Sequence, residues 1–130
     1  MIPESHIDIL AAESYAHLAT VMPDGTPQVT PVWVDHDGRE AILLNTARGR
    51  QKERNIQANP KVGVSVLDPD DPYRYVSVRA EAELIEDGAD DHIDTLAQQY
   101  MGVDEYPHHG EESGPRVIVR VPAENVATSG

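Results

Sequence analysis

Asn45-Thr46-Ala47-Arg48-Gly49-Arg50-Gln51-Lys52-Glu53-Arg54-Asn55-Ile56 is the stretch on which the reading of this chain turns. The apolar run Ala41-Ile42-Leu43-Leu44 leads into it. A helical pattern leaves it, with Ile56 and Ala58 toward the core and Asn59-Pro60 as the stop signal. The segment therefore reads as a strand end, a turn containing Gly49 and a short basic helix. Arg48, Arg50, Lys52 and Arg54 supply four of the chain's 10 Lys and Arg residues, in a protein of formal net charge -13. A helix's first turn offers unpaired backbone N–H groups and the positive end of the macrodipole, which suits a phosphate. Arginine adds a planar fork that matches phosphate oxygens, and lysine adds a mobile point charge. A solvated basic face paired with nearby acids is the competing reading. Crowding cations costs stability locally, and an acidic chain has little reason to do it, so an anion site is favoured.

Upstream, Ser5 to Glu13 reads as a short amphipathic helix with Ile7, Leu10 and Ala11 on one face. Tyr15 to Met22 is an apolar strand, Pro23-Asp24-Gly25 a tight turn, and Pro27 to about Asp35 a second strand. Proline cannot donate to a ladder, so Pro31 marks an edge, a bulge or an approach by something other than a strand. Asp37-Gly38 turns into a third strand from Arg39 to about Asn45. Downstream, Val62, Val64 and Val66 give a fourth strand. The polar loop Asp68 to Pro72 leads to a long strand, Tyr73 to Glu86, with one wet face. Asp87 to about Tyr100 is helical, Gly102 to Pro115 is loop, Arg116 to Val121 is a last strand, and residues 122–130 read as a tail. Six strands joined by hairpin turns, with few helices, indicate a mostly β fold, a closed or partly closed antiparallel barrel.

At 130 residues the chain makes one domain, 1–130, with its core over about 5–121. The core must rest on Val, Ile, Leu and Ala, because there is no Phe and one Trp. With no Cys, disulfides, thiolate metal sites and cysteine nucleophiles are excluded. The 23 acids against 10 bases argue against nucleic acid as a partner, which needs the opposite sign. No apolar run is long enough to span a membrane, and the start of the chain lacks the pattern of a secretory signal. A cytoplasmic location is the simplest expectation. Such acidity also suits a halophilic source.

Four features, taken in order, carry a resemblance. They are Leu18-Ala19-Thr20 before Asp24-Gly25; Pro27-Gln28-Val29-Thr30-Pro31-Val32-Trp33; Arg50-Gln51-Lys52-Glu53-Arg54-Asn55-Ile56 ending in Asn59-Pro60; and the long strand from Tyr75. Together they resemble the pyridoxamine 5′-phosphate oxidase-like split β-barrel family, and more closely its small branch that uses the deazaflavin coenzyme F420. The resemblance implies a split antiparallel β-barrel with a few short helices, pairing as a homodimer with the cofactor in a groove between chains. It places the cofactor phosphate on Arg50 and Lys52, with Gln51 and Asn55 in the same motif. It sets the ring system beside Thr30, Pro31, Val32 and Trp33 and the strand end Asn45-Thr46. Tyr73 and Tyr75 become candidates for completing the groove from the partner chain, and Arg48 and Arg54 for meeting the coenzyme's polyglutamate tail. The implied activity is hydride transfer between the deazaflavin and a small unsaturated or electron-poor acceptor. FMN as cofactor, and a non-catalytic carrier or sensor, are the alternatives. The oxidases proper carry Ser-Arg-Lys at the phosphate, where this chain has Gly49-Arg50-Gln51-Lys52, and their Arg-Leu-x-Pro ending is here Val119-Arg120-Val121-Pro122.

No residue stands out as catalytic, since no nucleophile motif is present. His108 and His109 read as solvated loop, and His6, His17, His36 and His92 are scattered, so no metal site is expected. Asp68 to Asp71 reads as a turn. Trp33 is either core or a neighbour of the cofactor.

Overall fold

The computed structural model describes residues 1–130. A 3₁₀ turn, Glu4–His6, runs into α1, Ile7–Ala11, and β1 follows over Tyr15–Val21. Met22 and Gly25 close the expected turn, with the Gly25 N–H donating to Met22 O at 2.8 Å. It leads to β2, Pro27–Trp33, then β3, Asp35–Asp37, and β4, Ala41–Ala47. α2 spans Gln51–Ala58, and β5, Lys61–Asp68, pairs with β6, Asp71–Glu81. β7 is Glu83–Ile85, α3 is Ala89–Met101, β8 is Arg116–Pro122 and β9 is Asn125–Ser129.

The strands form two antiparallel sheets, one ordered β2-β1-β5-β6-β9 and the other β3-β4-β8-β7. Inward positions alternate along β1, β5 and β8, while β4 is buried on both faces. Leu18, Val64, Val66, Val76 and Val78 from the first sheet meet Ile42, Leu44, Val119 and Val121 from the second in one hydrophobic core. Ile2, Ile9 and Leu10 cap it. The core is β-branched and aliphatic, as a chain without Phe requires.

Four expectations are corrected. The long strand from Tyr73 is two strands: it breaks at Ala82, whose N–H turns away to Pro60 O at 2.8 Å, and β6 and β7 lie in different sheets. A period-2 pattern carries no mark of such a sheet change. Residues 122–130 are no tail, because Asn125 to Ser129 pair with Tyr75 to Arg79 as β9. In α1 the buried face is Ile9 and Leu10, with Ala11 exposed. In α2 Ala58 is exposed, and Glu53, Asn55 and Ile56 are buried. Pro31 sits on β2, an edge strand, where its missing N–H breaks no ladder.

Candidate functional site

A cleft of about 370 Å³ opens where the end of β2 meets β4, α2, α3 and the 102–115 segment. That is the size range of small-molecule sites. One wall is apolar: Tyr15, Pro31, Val32 and Trp33 from the paired strands β1 and β2, facing Ile93, Leu96 and Met101 of α3. Trp33 stacks on Tyr100 with ring centroids 5.2 Å apart, and Tyr106 meets it edge-on at 6.3 Å. The Tyr100 hydroxyl donates to Ser14 O at 2.5 Å and accepts the Val34 N–H at 3.1 Å, so this aromatic pair is fixed from behind.

The other wall is cationic, and the turn after β4 builds it. Gly49 has φ 93°, a left-handed conformation that side chains rarely adopt, and a Cβ there would lie 3.3 Å from Ser113. Arg50 then takes the N-cap position of α2 without a side-chain cap bond. The buried Glu53 carboxylate organises the turn instead, accepting the Gly49 N–H at 3.0 Å and an Arg48 N–H at 2.9 Å. Arg48 also reaches Glu86 at 3.0 Å. The paired-cation reading therefore holds for Arg48 and in part for Arg50, which has an acid of its own in Glu112, while Arg50 and Lys52 both line the cleft.

Arg116, at the start of β8 opposite Ala47, joins them. Glu112 bridges the two arginines, Oε2 to Arg50 Nη2 at 3.0 Å and Oε1 to Arg116 Nη1 at 2.7 Å. Arg116 Nε donates to Asn45 Oδ1 at 2.8 Å, and its guanidinium lies over the Tyr106 ring, 5.1 Å from the centroid. Asn45 Nδ2 donates to Ala89 O and to His92 Nδ1, each at 3.0 Å. His92 Nδ1 is thus the acceptor, and Nε2 carries the proton toward Asp35 at 3.1 Å. The chain Asp35–His92–Asn45 fixes the orientation of Arg116. Lys52 has no carboxylate against it. Burial pushes its ammonium below the usual lysine range, and Arg50 and Arg116 push it further. Burial likewise pushes the Arg116 guanidinium down, with Glu112 opposing. Three cations and one carboxylate leave an excess of positive charge in a strongly acidic protein.

This geometry fits a ligand with a flat ring system and an anionic group. The model of a family described as pyridoxamine 5′-phosphate oxidase matches residues 2–130. The chain belongs to that family. Among solved structures, one named F420 reductase is 41% identical, covers 97% of this chain and 98% of its own, and superposes with a TM-score of 0.83. A conserved hypothetical protein from Mycobacterium tuberculosis is 26% identical over 99% of this chain and 85% of its own, with a TM-score of 0.76. General Stress Protein 26 from Bacillus anthracis, 20% identical over 97% and 92% with a TM-score of 0.71, shares the fold. The two sheets are the split β-barrel of the pyridoxamine 5′-phosphate oxidase family.

Within this family fold, the structure brings together Pro31, Val32, Trp33, Asn45, Arg50 and Lys52 of the residues singled out from sequence. It places the others elsewhere. Thr30 and Thr46 point inward from β2 and β4, and their hydroxyls are buried without a partner. Gln51 and Asn55 face the far side of α2: Gln51 Nε2 donates to Asn55 Oδ1 at 2.7 Å, and Asn55 Nδ2 donates to Thr20 Oγ1 at 3.0 Å. They border a second cavity of about 480 Å³ beside Met22. Tyr73 is exposed, Tyr75 is half-buried opposite Leu67, and neither lines the cleft of its own chain. Sequence reasoning missed Glu112, Arg116, Tyr106 and the α3 wall. Arg116 had one signal, an arginine opening an otherwise apolar strand; Glu112 lies in a loop without a period. No group of three or more His, Asp or Glu side chains is placed to hold a metal ion. His108, read from sequence as solvated loop, lines the cleft and pairs with Glu111 at 2.6 Å, and His109 pairs with Asp94 at 2.7 Å.

Proposed function

We propose that this protein is an oxidoreductase that binds the deazaflavin coenzyme F420 in the cleft and passes a hydride between it and a small unsaturated or electron-poor acceptor. The observation that carries the reading is Lys52, an unpaired, half-buried ammonium beside Arg50 and Arg116 at the edge of an aromatic wall. Arg50 and Lys52 hold the cofactor phosphate, and Pro31, Val32 and Trp33 hold the ring. Asn45 keeps Arg116 in place beside them. Thr30 and Thr46 support these strands from inside, and Gln51 and Asn55 brace α2 from behind. The likeness to the F420 reductase supports the choice of coenzyme.

When bound, the coenzyme supplies the hydride chemistry. The chain's own residues orient the ring, exclude water and balance charge, which is what such a transfer asks of a protein.

The reading includes a homodimer. In-register pairs place Tyr15, His17, Ala19 and Val21 on the outer face of the five-stranded sheet with Pro27, Val29, Pro31 and Trp33. Gly63, Ser65 and Leu67 continue that face across to Arg79, Ser77 and Tyr75, then to Asn125, Ala127 and Ser129. Its carboxylates are Glu81, opposite Lys61, and Asp71, at the start of β6, both at the margins. A chain with 23 acids that keeps them off one sheet face is preparing that face for contact. Tyr15, Pro31 and Trp33 belong both to this face and to the cleft, so a second copy would wall the cleft and bring its Tyr73 and Tyr75 near.

Titration with F420 and with FMN, read by absorbance and fluorescence, tests the cofactor, and an acceptor screen with the reduced complex tests turnover. Tight F420 binding with turnover supports the reading. Binding of FMN alone makes it a flavin enzyme, and binding without any turnover makes it a carrier.

A further inference from the structure

The Glu112 carboxylate backs the cation cluster from an adjoining acidic cavity, and an anionic ligand in the cleft must share Arg50 and Arg116 with it. It is firmly held, with a side chain only 7% exposed and one oxygen on each of Arg50 and Arg116. The segment behind it is pinned to the turn after β4. Ser113 Oγ donates to Arg48 O at 2.7 Å, and the Arg48 N–H donates to Pro115 O at 2.8 Å. Gly114 lies so close to Arg48 that a Cβ would come within 2.9 Å of its carbonyl oxygen. The carboxylate therefore has little room to swing away when a ligand arrives.

Resting on the reading of this cleft as a phosphate site, we infer that Glu112 is a specificity-determining residue that biases the site toward a phosphodiester and against a phosphomonoester. A monoester carries close to two negative charges near neutral pH, and a diester carries one. Arg50, Lys52 and Arg116 attract both ligands. A fixed carboxylate on the same two arginines repels the second charge of the monoester at short range, where the surroundings screen poorly. Glu112 also occupies one N–H group on each arginine, and Asn45 takes Arg116 Nε, which leaves fewer donors for a third phosphate oxygen. The phosphate of F420 is a diester and that of FMN a monoester, so the same carboxylate separates the two cofactors by charge.

The test uses one ring with two charges: 5-deazariboflavin 5′-phosphate and its monomethyl ester, titrated by fluorescence into the full chain and into Glu112→Gln. The expected result is that Glu112→Gln tightens the monoester at least tenfold relative to the methyl ester. Glu112→Ala, checked for folding by circular dichroism, should shift the ratio in the same direction. A ratio unchanged within twofold in both variants overturns the inference. Equal weakening of both ligands overturns it too, and makes Glu112 a support for the arginines. If the unaltered chain binds neither ligand, the phosphate-site reading falls and takes the inference with it.

Discussion

The Gly49 backbone N–H donates to the Glu53 carboxylate at 3.0 Å, across the turn that joins β4 to α2. The same carboxylate holds Arg48 and Gln57, so one buried acid fixes the geometry from which Arg50 and Lys52 project. Burial pushes the Glu53 carboxyl up, but Arg48, the Gly49 N–H and Gln57 outweigh it and hold the group below the usual glutamate range. A depressed carboxylate stabilises the fold above its unfolded pKa and loses that contribution as pH falls through the folded value. Glu53→Ala should cost on the order of 3 kcal/mol near pH 7, from the orphaned N–H and the broken ion pair. The difference from the unaltered protein should shrink as pH falls below about 4. Urea melts at pH 7 and pH 3.5 check both halves; an equal cost at both would show that packing alone is responsible.

Thr46 offers the opposite case. Its hydroxyl is buried, has no partner and sits on β4 beside Ala47, on the same face as the core residue Leu44. Thr46→Val keeps the shape and removes an unsatisfied group, so stability without cofactor should rise by about 1 kcal/mol. Thermal melting should move up by roughly 3–5 °C. A fall instead would show that the hydroxyl has a partner in solution.

The strand-turn-helix around Gly49 was legible in sequence because each signal there is local: an apolar run, a glycine and an Asn-Pro stop. The division of that stretch into Arg48 as ion-pair partner and Arg50 and Lys52 as cleft cations was not. It depends on Glu86 and Glu112, distant in the chain, and no period reports which acid folds back on which base. The break at Ala82 and the strand β9 were hidden for the same reason: Pro60 and Tyr75 to Arg79 supply the partners. Trp33 could be read either as core or as cofactor neighbour, and it is half-buried against Tyr100 at the cleft.

Val29 is 58% exposed on the nearly acid-free sheet face. Val29→Glu should leave the folded chain intact and place like charges across the dimer contact, a penalty of roughly several kcal/mol. Sedimentation at micromolar protein should show a dimer for the unaltered chain and a monomer for the variant, and cofactor affinity should fall with the loss of the dimer. A monomer in both cases would remove the second chain from the site.

The net charge of -13 sets a further expectation. Screening shortens from about 10 Å at 0.1 M salt to about 3 Å at 1 M, so self-repulsion among the acids should fade. Melting temperature should rise between those two salt concentrations if the acidity is a halophilic adaptation. Equal values would leave acidity without that meaning.

The central claim is that Arg50 and Lys52 hold the cofactor phosphate. Each contributes a charge-assisted hydrogen bond worth roughly 1.5–3 kcal/mol. Arg50→Ala should therefore weaken F420 binding by roughly 10- to 150-fold, and Lys52→Ala by the same or somewhat less. Stability without cofactor should stay within about 0.5 kcal/mol for Lys52→Ala, whereas Arg50→Ala also takes one partner from Glu112 and should cost about 1 kcal/mol. The decisive measurement is the F420 dissociation constant of the two variants beside the unaltered protein. Loss of affinity in both, with folding preserved, is the predicted result, and unchanged affinity in both would contradict the account and return these residues to a solvated basic face.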